Sequence, residues 1–256
     1  MSKEKSSSKY DAYKQPMLLA SRGKPYGDLI PDGKLNVFPM TVTEEQIIAT
    51  GTGDMGRTIN QVVQRLTELP EGLSFDDLLV IDRFMLLLGI RKNTYGSSYQ
   101  LRFNCPACGK LGDLEIDLDT MSVTYADDDW NEPFPCVLPI QQKRLELQML
   151  RVSHDTHLAK LPKSKNPQDF GHRDQRYFYR IAHCIRTIDG EEMSLNDKVM
   201  FVKTLHGADS SAIDNAIRDH ELGPDDILYT CSSCNRESEV TFPLEAEFFR
   251  PRSSSR

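Results

Sequence analysis

The sequence predicts an α+β fold: an N-terminal extended arm and helices, a small antiparallel β region, and a helical bundle inserted between two C-x-x-C hairpins. Three observations lead there. Apolar residues recur at helical spacing over 43–91 and again from 176 to 221. Two distant segments, around 99–118 and 227–242, share one pattern: an apolar strand, C-x-x-C, a polar turn and a second strand. A stretch rich in proline and glycine, 16–42, precedes both and suits an extended chain with turns.

In chain order, residues 1–15 are charged and serine-rich and are expected to be disordered, as is the tail 251–256. The arm, 16–42, carries the turn Pro31-Asp32-Gly33, in which proline presets φ and glycine accepts a positive φ. Leu35–Phe38 reads as a short strand. The helical region, 43–98, opens on Thr43-Glu44-Glu45-Gln46, read as a capping box with Thr43 as N-cap. Its second helix runs over Thr58–Leu66, with Ile59, Val62, Val63 and Leu66 on one face. Ser74 is expected to cap a third, running to about Arg91 and nearly surrounded by protein. The first cysteine hairpin and further strands occupy 99–152. The helical bundle occupies 153–222, with helices predicted at Arg176–Ile188, Ser194–Leu205 and Ser210–Glu221. A linker around Pro162–Pro167 separates this bundle from the sheet, Gly223-Pro224 ends its last helix, and the second hairpin takes 223–250.

The net charge of −7 lacks the cationic excess that sequence-independent phosphate binding needs. No stretch approaches the ~18 apolar residues of a membrane span. Charged residues at the N-terminus with no apolar segment behind them predict a chain without a secretory signal, folding in a reducing cytoplasm. Cysteines in that compartment serve as metal ligands or buried thiols more than as disulfides.

Cys105-Pro106-Ala107-Cys108 and Cys231-Ser232-Ser233-Cys234 therefore predict one structural zinc ion held by Cys105, Cys108, Cys231 and Cys234. A C-x-x-C turn puts two sulfurs on one ion, and its backbone amides offset their negative charge. Two such turns complete a tetrahedral four-thiolate site, which leaves no open position for catalysis. A single C-x-x-C could be a redox pair, but that arrangement places the first cysteine at a helix N-terminus, and neither segment continues as a helix. Residues 109–230, 122 in all, lie between the pairs, so the zinc-ribbon-like hairpins must meet in space across a long insertion.

Other candidates have plainer readings. Cys136 and Cys184 lack partners at ligand spacing and read as small buried apolar residues. His154 and His157 stand at i, i+3 with Asp155 between them, a weak metal pattern. Asp127-Asp128-Asp129 lacks EF-hand spacing and reads as a solvated acidic loop. Gly51-Thr52-Gly53-Asp54-Met55-Gly56 follows a helix rather than a strand, which fails the dinucleotide mechanics. No metalloprotease, nucleophile-elbow or P-loop motif is present, so no enzyme and no catalytic residue is predicted, although a scattered active site leaves no local signature. A nucleic-acid-binding zinc ribbon is the alternative function; Glu115, Asp117, Glu237 and Glu239 on the outgoing strands would repel phosphate.

Three blocks in order carry a resemblance: Ser21-Arg22-Gly23-Lys24-Pro25-Tyr26; Val37-Phe38-Pro39-Met40-Thr41-Val42-Thr43-Glu44-Glu45; and Ile81-Asp82-Arg83 through Ile90-Arg91 to Tyr95-Gly96-Ser97-Ser98-Tyr99. Together they resemble the T4-type baseplate hub protein family of contractile-tailed bacteriophages. The resemblance implies a virion or assembly protein of the tail baseplate, made in the host cytoplasm, that binds other baseplate and tail proteins and catalyses nothing. An arm such as 16–42 could then wrap a neighbour, with Met17-Leu18-Leu19 as its apolar anchor, or strap its own domain. Tyr177, Phe178 and Tyr179 are a candidate contact cluster, with burial in the helical segment as the plainer reading.

Overall fold

A computed structural model describes residues 11–51, 55–162, 175–240 and 248. The fold is α+β, with helices set among several small antiparallel sheets. The arm proves to be a strap on its own domain. Strand β1 (Gln15–Leu18) pairs antiparallel with β2 (Lys34–Val37), Gln15 opposite Val37. Ordered structure thus begins inside the stretch predicted to be disordered, with a 3-10 turn at Asp11–Tyr13. Between the strands the chain dips into the first core, burying Leu19, Ala20, Tyr26 and Ile30. The arm's buried apolar residues and the β1–β2 main-chain hydrogen bonds are therefore made within the chain.

Helix α1 (Val42–Thr50) starts two residues earlier than predicted. Its N-cap is Thr41, not Thr43, and Glu44 closes the capping box by accepting from the Thr41 backbone N–H at 3.0 Å and its hydroxyl at 2.5 Å. Glu44 also faces Arg65 at 3.3 Å, a partner on the next helix that Gln46 does not have. That helix, α2 (Met55–Arg65), begins three residues before the predicted start and buries Ile59, Val62 and Val63 as expected. Gly51 caps α1, while residues 52–54 of the glycine loop lie outside the described residues. Strand β3 (Thr67–Glu68) then adds to β2.

Ser74 caps, but what it caps is a 3-10 turn, Phe75–Asp77. Leu78 and Leu79 then run extended, and the long helix α3 starts only at Val80, reaching Tyr95. Leu79 bridges to Arg151, which accounts for the interruption: its backbone pairs across the core instead of joining the helix. From Met85 to Arg91 every residue of α3 is buried, so the predicted central helix is surrounded there. A β-carbon on Gly89 would lie 2.9 Å from Met17 Cγ, so glycine at this point lets β1 cross the helix closely.

Beyond α3 come the first cysteine hairpin, β4 (Ser98–Asn104) and β5 (Leu111–Asp117), then β6 (Val123–Thr124), β7 (Phe134–Val137) and β8 (Arg144–Leu147). Helices α4 (Val152–Lys160) and α5 (Gln175–Cys184) follow; of the linker, 163–167 lies outside the described residues. The helix predicted to reach Ile188 stops at Cys184. Ile185–Ile188 is strand β9, which joins β8 and the two-residue β10 (Glu191–Glu192) in a sheet ordered β10-β9-β8-β7. Helices α6 (Leu195–Lys203) and α7 (Gly207–Asp219) complete the segment. It is no free-standing bundle: its apolar faces close on this sheet, forming a second core of Phe134, Leu145, Leu147, Ile181, Val202 and Ile213. Tyr177, Phe178 and Tyr179 are half-buried against it. After α7 ends at Asp219, Gly223–Pro224 forms strand β11 against β6. The second cysteine hairpin is β12 (Ile227–Thr230) and β13 (Glu237–Val240); Thr241 and Phe242, predicted to extend it, lie outside the described residues.

Candidate metal centre

The two C-x-x-C turns fold alike because their backbones solve the same closure problem. In the first, the Cys105 N–H donates to the Lys110 carbonyl and the Gly109 N–H to the Cys105 carbonyl, both at 2.8 Å. In the second, the Cys231 N–H donates to the Arg236 carbonyl at 3.0 Å and the Asn235 N–H to the Cys231 carbonyl at 2.8 Å. Each turn needs a left-handed residue just after its second cysteine. Gly109 supplies it at φ 70° and Asn235 at φ 53°, the two residue types that adopt that region most readily.

What brings turns so far apart in sequence together is aromatic packing. Phe103 on β4 meets Tyr229 on β12 edge-to-face, ring centres 4.6 Å apart. Tyr229 fits because position 112 has no side chain: a β-carbon on Gly112 would lie 2.9 Å from its hydroxyl. Sequence reading passed over Gly112, although a glycine inside a strand is a signal of close approach by another chain segment. Gly112→Val is expected to push the hairpins apart and lower the unfolding free energy by about 1–3 kcal/mol, measured by urea denaturation; an unchanged midpoint would count against this packing.

All four predicted residues are brought to one point. Cys108 Sγ lies 3.8 Å from Cys231 Sγ, and Cys105 Sγ lies 4.0 Å from Cys234 Sγ. All four sulfurs fall within 4.8 Å of one another. Disulfides would need sulfurs ~2.05 Å apart. Thiolates ~2.3 Å from a tetrahedral zinc stand about 3.8 Å from each other, so the spacing fits four ligands around one ion. Cys105 and Cys231 are buried, Cys234 is half-buried and Cys108 is exposed, so the cluster opens to solvent on one side only.

The electrostatics favour thiolate at Cys231, the first cysteine of the second turn. Backbone N–H groups of Ser233 and then Cys234 hold the Cys231 thiol down to about 6; the Ser233 N–H stands 3.4 Å from its sulfur. Cys234 is helped by the Arg236 backbone N–H, yet desolvation and the three other sulfurs push it up to about 11. Four sulfurs at this separation cannot all ionise without a cation between them.

The remaining candidates stay apart from this centre. Cys136 and Cys184 are buried, as expected, and burial pushes the Cys184 thiol up to about 12. Asp127, Asp128 and Asp129 are exposed, with Asp127 accepting from the Trp130 backbone N–H at 2.8 Å. His154 and His157 do gather with His183, but His154 stacks on His183 at an interplanar angle of 17°, which turns their nitrogen lone pairs parallel rather than convergent. Among the described residues, the four cysteines are the sole group of three or more His, Cys, Asp or Glu whose ligand atoms lie this close together. No helix among the described residues is long and apolar enough to cross a membrane.

Neither a curated protein nor a solved structure matches the chain. A family described as T4 bacteriophage base plate protein matches residues 26–250, most of the chain; the match takes in the second and third sequence blocks and only Tyr26 of the first. The chain thus belongs to the T4 bacteriophage base plate protein family.

Proposed function

We propose that the chain is a structural or assembly component of the hub of a contractile phage tail baseplate, that it binds other tail proteins, and that one zinc ion on Cys105, Cys108, Cys231 and Cys234 stabilises it. The family match over 26–250 carries the baseplate reading. Convergence of four sulfurs from two matched turns supports the ion, which when bound supplies cross-linking charge and no reaction. The protein's own part is to hold the ligands: Gly109 and Asn235 close the turns, and Phe103, Gly112 and Tyr229 hold one turn against the other. The site of action on this reading is the virion, after synthesis in the host cytoplasm, and no catalysis is assigned.

A nucleic-acid-binding ribbon is disfavoured by charge. The solvent-facing side of both hairpins carries Asp113, Glu115, Asp117, Glu237 and Glu239, all exposed. Such a face repels phosphate. The test is to express the tagged chain during infection and identify what it retains. Named tail or baseplate proteins retained at moderate salt are the expected result, with baseplate assembly stalling when the gene is removed. Salt-dependent retention of DNA, with no tail protein and no assembly defect, would overturn the reading.

A further inference from the structure

Three histidines meet where the two cores join. His154 and His157 belong to α4, which packs against α2, α3 and the Phe75–Asp77 turn, all elements of the first core. His183 belongs to α5, whose Ile181 and Ala182 lie in the second core. His157 Nδ1 and His183 Nε2 are 2.9 Å apart, so they share a single proton between them. His154 Nδ1 accepts from the Arg151 backbone N–H at 3.2 Å, which keeps that nitrogen unprotonated, and its ring stacks on His183 with centres 4.4 Å apart. The same seam contains a cavity of about 610 Å³, bordered by Phe84 and Met149 on one side and by Arg180 and Ile217 on the other. The join is therefore incompletely packed; across it the imidazole contacts tie α4 to α5 together with Arg176 of α5, which donates to the Leu161 carbonyl at 2.9 Å and the Ala159 carbonyl at 3.2 Å.

We propose that this cluster is an acid-sensitive latch: its stacked and hydrogen-bonded imidazoles help to hold α4 on α5, and protonation of His154 and His183 loosens the second core from the first. Both hydrogen bonds require unprotonated nitrogens, at Arg151–His154 and at His157–His183. A second proton on the His157–His183 pair would set two N–H groups against each other at 2.9 Å. The surrounding charges offer no relief. Arg151, on the approach to α4, is paired with Glu132 at 2.5 Å. From α6, Lys198 adds positive potential at both His154 and His183. Asp155, on α4 itself, is held by Arg83 of α3 at 2.8 Å. From α5, Tyr179 meets His157 edge-on, and the packed turn's Asp76 and Asp77 are exposed. Burial first pushes His154 and His183 each down to about 4; Arg151 comes next at His154, and the adjoining His154 ring at His183.

The sign follows from those depressed values. The unfolded or opened chain binds protons near pH 6.5, while the closed form resists them until about 4. The latch is thus intact above about pH 6.5 and weakens as pH falls between the two values, opening growing by up to about 100-fold per pH unit for two protons. The test is hydrogen exchange and small-angle scattering of the full chain from pH 7.5 to 4.5, with imidazole resonances followed by NMR. Expected are faster exchange in α4 and α5, corrected for intrinsic rates, and an enlarged radius in acid, with the acid dependence flattened in His154→Gln/His183→Gln and retained in His206→Gln. Should the double variant not fold, the wild-type resonances decide: His154 and His183 titrating near pH 6.5 in a chain that stays compact would overturn the latch, as would acid opening of equal steepness in the double variant.

Discussion

Cys108→Ser and Cys231→Ser are each expected to abolish bound zinc in elemental analysis and to lower the unfolding free energy by about 4–5 kcal/mol. The magnitude follows from topology. The proposed ion would cross-link positions separated by residues 109–230, and a cross-link closing ~100 residues removes about 4.7 kcal/mol of chain entropy from the unfolded state. Losing one thiolate of four leaves the others clustered but unneutralised, so the remaining hairpin contacts, chiefly Phe103 on Tyr229, must hold the closure alone. A chelator should mimic the variants in the wild-type chain and do nothing further to either. The first structure to loosen should be the second hairpin, the smaller partner, which hydrogen exchange in 227–240 would reveal before the cores melt. Melting curves unchanged in both variants, and in wild type with chelator, would remove the metal from the account of this fold.

The cysteine turns were legible in sequence because their geometry is local. C-x-x-C, a polar turn and a left-handed Gly109 or Asn235 close by hydrogen bonds within six residues, and the pattern appears twice. Features decided by distant partners were not legible. Thr41-x-x-Glu44 and Thr43-x-x-Gln46 are both good capping boxes, and the choice falls to Arg65, which lies on another helix and pairs with Glu44. Ile181, Ile185 and Ile188 suit a helix face at i, i+4 and i+7. The alternative, a strand with Ile185 opposite Leu147 and Ile188 opposite Leu145, wins because β8 is already in place to pair with it. Whether the arm wrapped a neighbour or its own domain turned on contacts between residues 56 and 61 positions apart, Tyr26 and Ser21 with Asp82, which no local pattern announces.

Those contacts carry the second large prediction: Asp82→Ala is expected to cost about 3–5 kcal/mol, the range for stripping the partner from buried polar groups. Asp82 is fully buried on α3. It accepts from the Ser21 backbone N–H at 3.0 Å, the Ser21 hydroxyl at 2.6 Å and the Tyr26 hydroxyl at 2.6 Å. Tyr26 in turn accepts from the Leu79 N–H at 2.8 Å, inside the extended break before α3. Alanine would leave three buried donors without an acceptor and a void beside them, and the strap would lose its anchor on the central helix. Ser21–Tyr26 and Ile81–Arg83, which belong to two of the three blocks that carry the resemblance, are thus the two sides of one hydrogen-bonded junction. Asp82→Asn separates charge from hydrogen bonding. It keeps one acceptor, removes the buried charge, and should cost less than alanine, about 1–2 kcal/mol. The pH dependence gives an independent check. Burial raises the native pKa of Asp82 against the pull of the Ser21 and Tyr26 donors. The native state therefore holds this proton at a pH where the unfolded chain, with a value of ~3.9, has lost it. Asp82 favours folding most at acid pH, and the advantage is lost as pH rises through its native pKa; the asparagine variant should lack that component. Urea denaturation across pH 4–7 would measure both effects, and a cost below about 1 kcal/mol for Asp82→Ala would mean that water or another group satisfies the Ser21 and Tyr26 donors.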